Sequence, residues 1–369
     1  MSTAARRSHS AASGPKAEKK PMEPRPSASI ILLSPTNQVL LLHRVQTSSA
    51  FPSAHVFPGG NLSDFHDGTI PPPGDAKRQE DSIAYRLGAI RETFEESGIL
   101  LARVGSNEGG LLNLPTADRD EARKSIHGNE ISFGKWLESV GGVADTDNLL
   151  PFTRWITPLA PPKRFTTQMY IYMLPLSSDK DPVISAAQQE AMIPTPDGGA
   201  EITTAHFDEA ATWLTRSREG ELILYPPQFV LLHLLAPFLT GPPPVEALSS
   251  SETMEHYRMQ REKLRGFLNA TPTSADPRAA KYPTAQIPWG EKVISPVTLG
   301  MRQSDQRAIL GLDKPGPELR GSARGGDWER VVLVKFGKGV VKDVEVRDRQ
   351  EVLAEERAAE KAKGASSHL

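Results

Sequence analysis

The stretch Ala89 to Leu100, "AIRETFEESGIL", decides the reading of this chain. Glu92, Glu95 and Glu96 fall within five positions, just before Gly98. Residues in an α-helix turn by about 100° each, so positions i, i+3 and i+4 share one face. Ile83, Leu87, Ile90 and Phe94 repeat at helical spacing on the other side, and Gly98 supplies a stop. The pattern predicts a helix opening near Asp81 or Ser82, with its apolar face on a core and its carboxylates turned outward. Clustered carboxylates raise one another's proton affinity unless a cation neutralises them. Oxygen donors without sulfur or imidazole select hard divalent ions, Mg²⁺ or Mn²⁺, which keep waters and bind phosphate oxygens. A solvated charged face would show the same three glutamates. The surroundings favour the metal: Arg91 precedes them, Gly98-Ile99 follows, and "FPGG" (57–60) lies upstream.

Outward from this helix, the chain of 369 residues is 38% apolar and 24% charged, with a net charge of −2. No global field points to nucleic acid or an anionic membrane, and no specific nucleic-acid partner is expected. No apolar run is long enough to span a bilayer. With no cysteine in the chain, disulfides, thiolate metal sites and cysteine nucleophiles are excluded.

Residues 1–27 are rich in Ser, Ala, Pro and basic side chains and read as a disordered tail. Two strands joined by a Ser-Pro-Thr-Asn turn are expected over 29–44. Residues 63–80 are polar, with Pro71–Pro73, and read as a surface loop. A helical insertion is expected over 105–150. Strands follow in "FTRWITP" and "FTTQMYIYMLP", then "EITTAHF", and helices in "DEAATWLTRSREG" and "PPQFVLLHLLAPFL". Residues 245–350 read as a C-terminal extension with a helix near 251–269 and a strand pair in "RVVLVKFGKGVVKDVEVR". A charged tail, 351–369, ends in Ser367-His368-Leu369. This resembles the small–basic–Leu address read by the peroxisomal import receptor. The basic, Ser/Ala-rich N-terminus offers a mitochondrial alternative, and the cytoplasm is a third.

"RETFEESGI" (91–99) resembles the second half of the Nudix box, G-x5-E-x7-R-E-U-x-E-E-x-G-U, where U is apolar. Arg91, Glu92, Glu95, Glu96, Gly98 and Ile99 match; Thr93 stands at a U position, and Gly60 matches the opening glycine. The resemblance implies an α/β fold: a Nudix α/β/α sandwich with a mixed sheet over 28–240, carrying the insertions and the C-terminal extension. It implies a divalent-metal pyrophosphohydrolase with a small-molecule diphosphate substrate. Arg91 and Gly60 are separated by 31 positions where the pattern has 14, so 17 residues are inserted. Counting back from Arg91, the first box glutamate falls on Ile83, and Glu80 is the displaced candidate. The long spacer, with "PSAHVFPGG", "RWITP", "RFTT" and "PPQF", is similar to the branch that includes peroxisomal coenzyme A diphosphatases. Coenzyme A or acyl-coenzyme A is therefore the expected substrate. Another nucleoside diphosphate derivative, or a ligand-binding Nudix protein without catalysis, are the alternatives.

The roles that follow are these. Glu92, Glu95 and Glu96 hold metal, with a backbone carbonyl from Gly59 or Gly60. Arg91 fixes a glutamate rotamer. Glu92, or a remote Glu201 or Glu190, serves as general base. Arg44, Lys163 and Arg164 bind substrate phosphates, and Trp155 and Phe165 are candidates for stacking on adenine.

Overall fold

The computed structural model describes residues 22–47, 52–105, 110–176, 192–197, 201–243, 249–337 and 340–366. Its centre is β1 (Arg25–Leu33), in which all residues but the first are buried. A strand read as aliphatic on both faces must be covered on both. β1 runs parallel to β8 (Phe165–Met173) along its whole length and antiparallel to β2 (Val39–Arg44) and to β4 (Gly59–Asn61). β3 (His55–Val56) and β9 (Ile202–Asp208) pair with β2, and β7 (Leu150–Ile156) pairs with β8.

Side chains alternate along a strand. Ile30 and Leu32 therefore enter one core with Tyr85, Ile90 and Phe94 of α1 (Ile83–Ser97). Ile31 and Leu33 enter the other, with α4 (Ala210–Arg218) and α5 (Pro226–Leu235). The result is an α/β/α sandwich around a mixed sheet. β5 (Ala102–Val104) and β6 (Gly142–Ala144) pair at the base of the insertion that carries α2 (Thr116–His127) and α3 (Phe133–Ser139).

Four expectations change. β1 begins at Arg25, so the stretch read as a tail to residue 27 ends earlier; Ser27 Oγ lies 2.8 Å from Thr167 Oγ1 on β8. Ile83, on the apolar side by periodicity, is 59% exposed, because it opens the helix. The segment 63–80 is not all surface: Asp67, Arg78 and Gln79 are buried. Hydrogen bonds make this possible, as when Thr166 Oγ1 donates to Gln79 Oε1 at 2.6 Å and Tyr85 OH donates to the Arg78 carbonyl.

The fourth change lies beyond residue 245. The expected strand pair is β13 (Asp327–Phe336) and β14 (Val341–Asp348), but it belongs to a four-stranded antiparallel sheet with β11 (Val297–Met301) and β12 (Ala308–Leu312). β11 and β12 are short and each contains a glycine, which masks their periodicity. β10 (Val293–Ile294) joins the main sheet beside β7. Leu310, Val332 and Val334 share one core with α5 and with Leu264 and Leu268 of α6 (Ser250–Asn269). α7 (Arg349–Ser366) follows β14. No helix of the described residues is long and apolar enough to cross a membrane. Glu190, Ser367, His368 and Leu369 lie outside the described residues.

Candidate active site

Gly98 ends α1 in the left-handed conformation (φ 72°), its N–H donating to the Phe94 carbonyl. The carboxylates just before it do not face bulk water. They face β4 and the start of the 63–80 segment, and Glu95 and Glu96 are buried. The Gly59 N–H donates to Glu96 Oε2 at 2.8 Å. A Cβ on Gly60 would stand 2.5 Å from Glu92 Cδ, so this carboxylate touches the strand because position 60 has no side chain. At Gly59 (φ 155°) a Cβ would stand 2.4 Å from the Ala28 carbonyl oxygen. The two glycines press β4 between β1 and α1.

Arg91 organises the acidic groups. Nε and Nη2 donate to Asp67 Oδ1 and Oδ2 at 2.9 and 2.8 Å, a bidentate buried pair. Nη1 donates to Glu92 Oε1 at 2.9 Å and to Glu95 Oε1 at 2.8 Å. Nη2 also donates to the Asn61 carbonyl. Burial opposes its charge, but the hydrogen bond to Asp67 and the three carboxylates outweigh that and hold its proton more tightly than usual. His127, at the end of α2, places Nδ1 3.2 Å from Glu95 Oε2.

Asp67 and His127 are the residues that sequence reasoning missed. Asp67 stands seven positions after Gly60, one more than the family spacing, so counting forward from the glycine stops at its neighbour His66. Counting back reached Ile83, which is exposed at the helix start. Glu80 is exposed too, and its hydrogen bonds are made by its backbone: the carbonyl accepts from Arg154 Nη2 and the N–H donates to the Lys77 carbonyl. His127 has no spacing signal at all.

One guanidinium cannot neutralise all of these anions. Burial pushes Glu92 up to about 7; Arg91 opposes this, and the Glu95 and Asp67 charges add to it. Burial, then the charge of Glu92, raises Glu96 well above the usual carboxylate range, against the Gly59 N–H and Arg44. Arg44 bridges two elements: Nη1 lies 3.6 Å from Glu96 Oε1, and Nη2 lies 2.9 Å from Glu201 Oε2. β2–β9 pairing, with Arg44 opposite Ile202, brings Glu201 there.

Glu92, Glu96, Gly59, Gly60, Arg44 and Glu201 line one cleft of about 1940 Å³. Lys163, Trp155 and Phe165 line it as well. Arg164 does not. Its Nε donates to the Thr157 and Pro158 carbonyls, and Nη1 pairs with Glu318 Oε1 at 2.6 Å. The structure thus separates Lys163, at the cleft, from Arg164, which is tied to the backbone of 157–158 and to Glu318 just before β8 begins.

The donor set suits a hard divalent cation. Glu92 and Glu96 are under-neutralised oxygen donors at the cleft wall, with glycine backbone beside them. Among the described residues, no three His, Asp or Glu side chains are grouped so as to hold a metal ion by themselves.

The family model described as the NUDT19 Nudix domain matches residues 73–234. A Caenorhabditis elegans protein described as putative nudix hydrolase 7 is 32% identical over 167 residues, covering 45% of this chain and 48% of that one. The Gallus gallus acyl-coenzyme A diphosphatase NUDT19 is 28% identical over 311 residues, covering 70% of this chain and 76% of that one. The chain thus spans about half of the nematode protein and about three quarters of the chicken one. The crystal structure of a NUDIX hydrolase from Alicyclobacillus acidocaldarius is 24% identical and aligns over 57% of this chain and 90% of that chain, with a TM-score of 0.44. Over residues 73–234 the chain thus matches a Nudix domain, the one that the NUDT19 model describes. The likeness to the chicken relative extends over most of the chain.

Proposed function

We propose that this protein hydrolyses the diphosphate bond of coenzyme A or acyl-coenzyme A with Mg²⁺ or Mn²⁺, giving 4′-phosphopantetheine, or its acyl form, and 3′,5′-ADP. The observation that carries the reading is the pair Glu92, half-buried, and Glu96, buried, set against Gly60 and Gly59 at the wall of a cleft. The substrate follows from the name of the chicken relative and its match over most of this chain.

In this reading Glu92 and Glu96 are the side-chain ligands of the metal, which when bound draws charge from the phosphate oxygens and acidifies a water. Arg91 holds Glu92 and Glu95 in one orientation, and Asp67 holds Arg91. Glu95 then acts through the Arg91 network and His127, with less direct access to the cleft than its two neighbours. Arg44 and Lys163 take the phosphate oxygens. Glu201 at the cleft, fixed by Arg44, accepts the proton of the attacking water, with Glu92 as the alternative base. Arg164 has a different task, holding the cleft rim through Glu318.

The test is incubation of the purified protein with Mg²⁺ and a panel of diphosphates, followed by product masses. Release of 3′,5′-ADP from coenzyme A supports the reading. Turnover of dinucleotides alone moves it to another nucleoside diphosphate, and no turnover leaves a ligand-binding protein. We place the protein in peroxisomes through Ser367, His368 and Leu369; a fluorescent fusion that ignores deletion of Leu369 refutes this.

A further inference from the structure

Two regions of the chain line the cleft. Glu92, Glu96 and Arg44 come from the first; residues far along the chain come from the second, among them the apolar Leu310 of β12, Pro317 and Phe336 of β13 and the charged Lys314 and Arg320. Residues opposed in an antiparallel pair share a face. Leu310 faces Val332 and Ala308 faces Val334, and all four lie in the core beneath α5. Phe336, two residues past Val334, continues that face beyond the core, and it is 60% exposed. Leu159, on the loop between β7 and β8, lines the same cleft and is 48% exposed. Large apolar side chains left open in one cavity mark a place where an apolar group is received.

The same rim is clasped. Arg164, at the end of the Leu159 loop, pairs with Glu318 beside Pro317 and donates to the Met22 carbonyl at 2.9 Å. Both side chains of that ion pair are largely buried. It fixes the C-terminal sheet as a wall of the cleft.

We infer that the apolar side chains of Leu159 and of the inner face of β12 and β13 out to Phe336 are the seat of the substrate's acyl chain, so that the C-terminal region sets chain-length preference. The inference rests on the acyl-coenzyme A reading. A diphosphate at Glu92 and Glu96 leaves the pantetheine arm to run along the cleft, and the thioester's alkyl group is the part of such a substrate that gains from leaving water. A cleft of about 1940 Å³ also exceeds the several hundred Å³ usual for a small-ligand pocket.

The experiment measures kcat/KM for the wild type, Leu159→Ser/Phe336→Ser and the control Val143→Ser over a series of coenzyme A thioesters from acetyl to dodecanoyl. Val143 is exposed but lies outside the cleft. All three positions are exposed, so folding is not at stake. The wild type is expected to prefer the long chain by about tenfold or more, and the double variant to lose most of that ratio while the control keeps it. A ratio that is flat in the wild type, unchanged in the double variant, or equally lost in the control overturns the inference. A wild type that cleaves none of the series overturns the parent reading, and this one with it.

Discussion

Replacing Gly60 with Ala adds one methyl group where the structure has least room for it. The new Cβ would lie 2.5 Å from Glu92 Cδ and 2.6 Å from both carboxylate oxygens. Ordinary contact begins near 3.5 Å, so the carboxylate must retreat by about 1 Å. The backbone at Gly60 is not in the left-handed region, so the conflict is steric alone. The atom in the way ends a flexible side chain that borders the cleft, and the fold can yield there. A displacement of that size at a carboxylate proposed to hold the metal is expected to cost about 100-fold in kcat/KM, with the unfolding midpoint nearly unchanged. Gly134→Ala is the control, since a Cβ there meets nothing within 4 Å. Steady-state kinetics with Mg²⁺ titration, beside thermal unfolding, reads both quantities. Activity within threefold of wild type would refute the placement of Glu92 in the site. Global unfolding would refute the claim that the conflict is local.

Glu96→Gln, which keeps the shape but removes an anionic ligand, is expected to lower turnover by about two orders of magnitude with the fold intact; near-normal hydrolysis counts against the metal assignment. Asp67→Asn strips the bidentate partner from buried Arg91 and is expected to cost about 3 kcal/mol in denaturant unfolding, the low end for such a pair because Glu92 and Glu95 remain. For the same reason, excising 63–80 should destabilise the protein rather than merely trim a loop. Glu92 titrates near 7 in the fold against 4.5 as a free group. A raised carboxyl contributes stability below about 4.5 that is lost as pH rises through 7, at most roughly 3 kcal/mol because the side chain keeps 16% of its surface open. Metal-free wild type should therefore lose stability from pH 5 to 8 relative to Glu92→Gln, and Mg²⁺ affinity should climb over the same interval. Parallel pH profiles for the two proteins would remove this account.

Local order was readable from the chain. The spacing of Ile90, Phe94 and Gly98 located α1 and its end, and runs of branched residues located β1, β2, β7 and β8, because periodicity and turn chemistry are properties of neighbouring residues. The face shared by Glu92, Glu95 and Glu96 followed from helical pitch in the same way. Where that face pointed did not. Only packing decided that it meets Gly59 and Gly60, that Asp67 from an apparently exposed segment neutralises Arg91, and that Arg164 clasps Glu318 while Lys163 lines the cleft. These contacts join residues 24 to 154 positions apart. The free energy that selects them comes from burial and charge compensation, quantities that exist only once the two faces of the sheet have been covered. The four-stranded sheet is the same case: glycine-interrupted β11 and β12 carry too little pattern to be read singly, and become strands because β13 pairs with β12 and β12 in turn with β11, while the core shared with α5 covers β12.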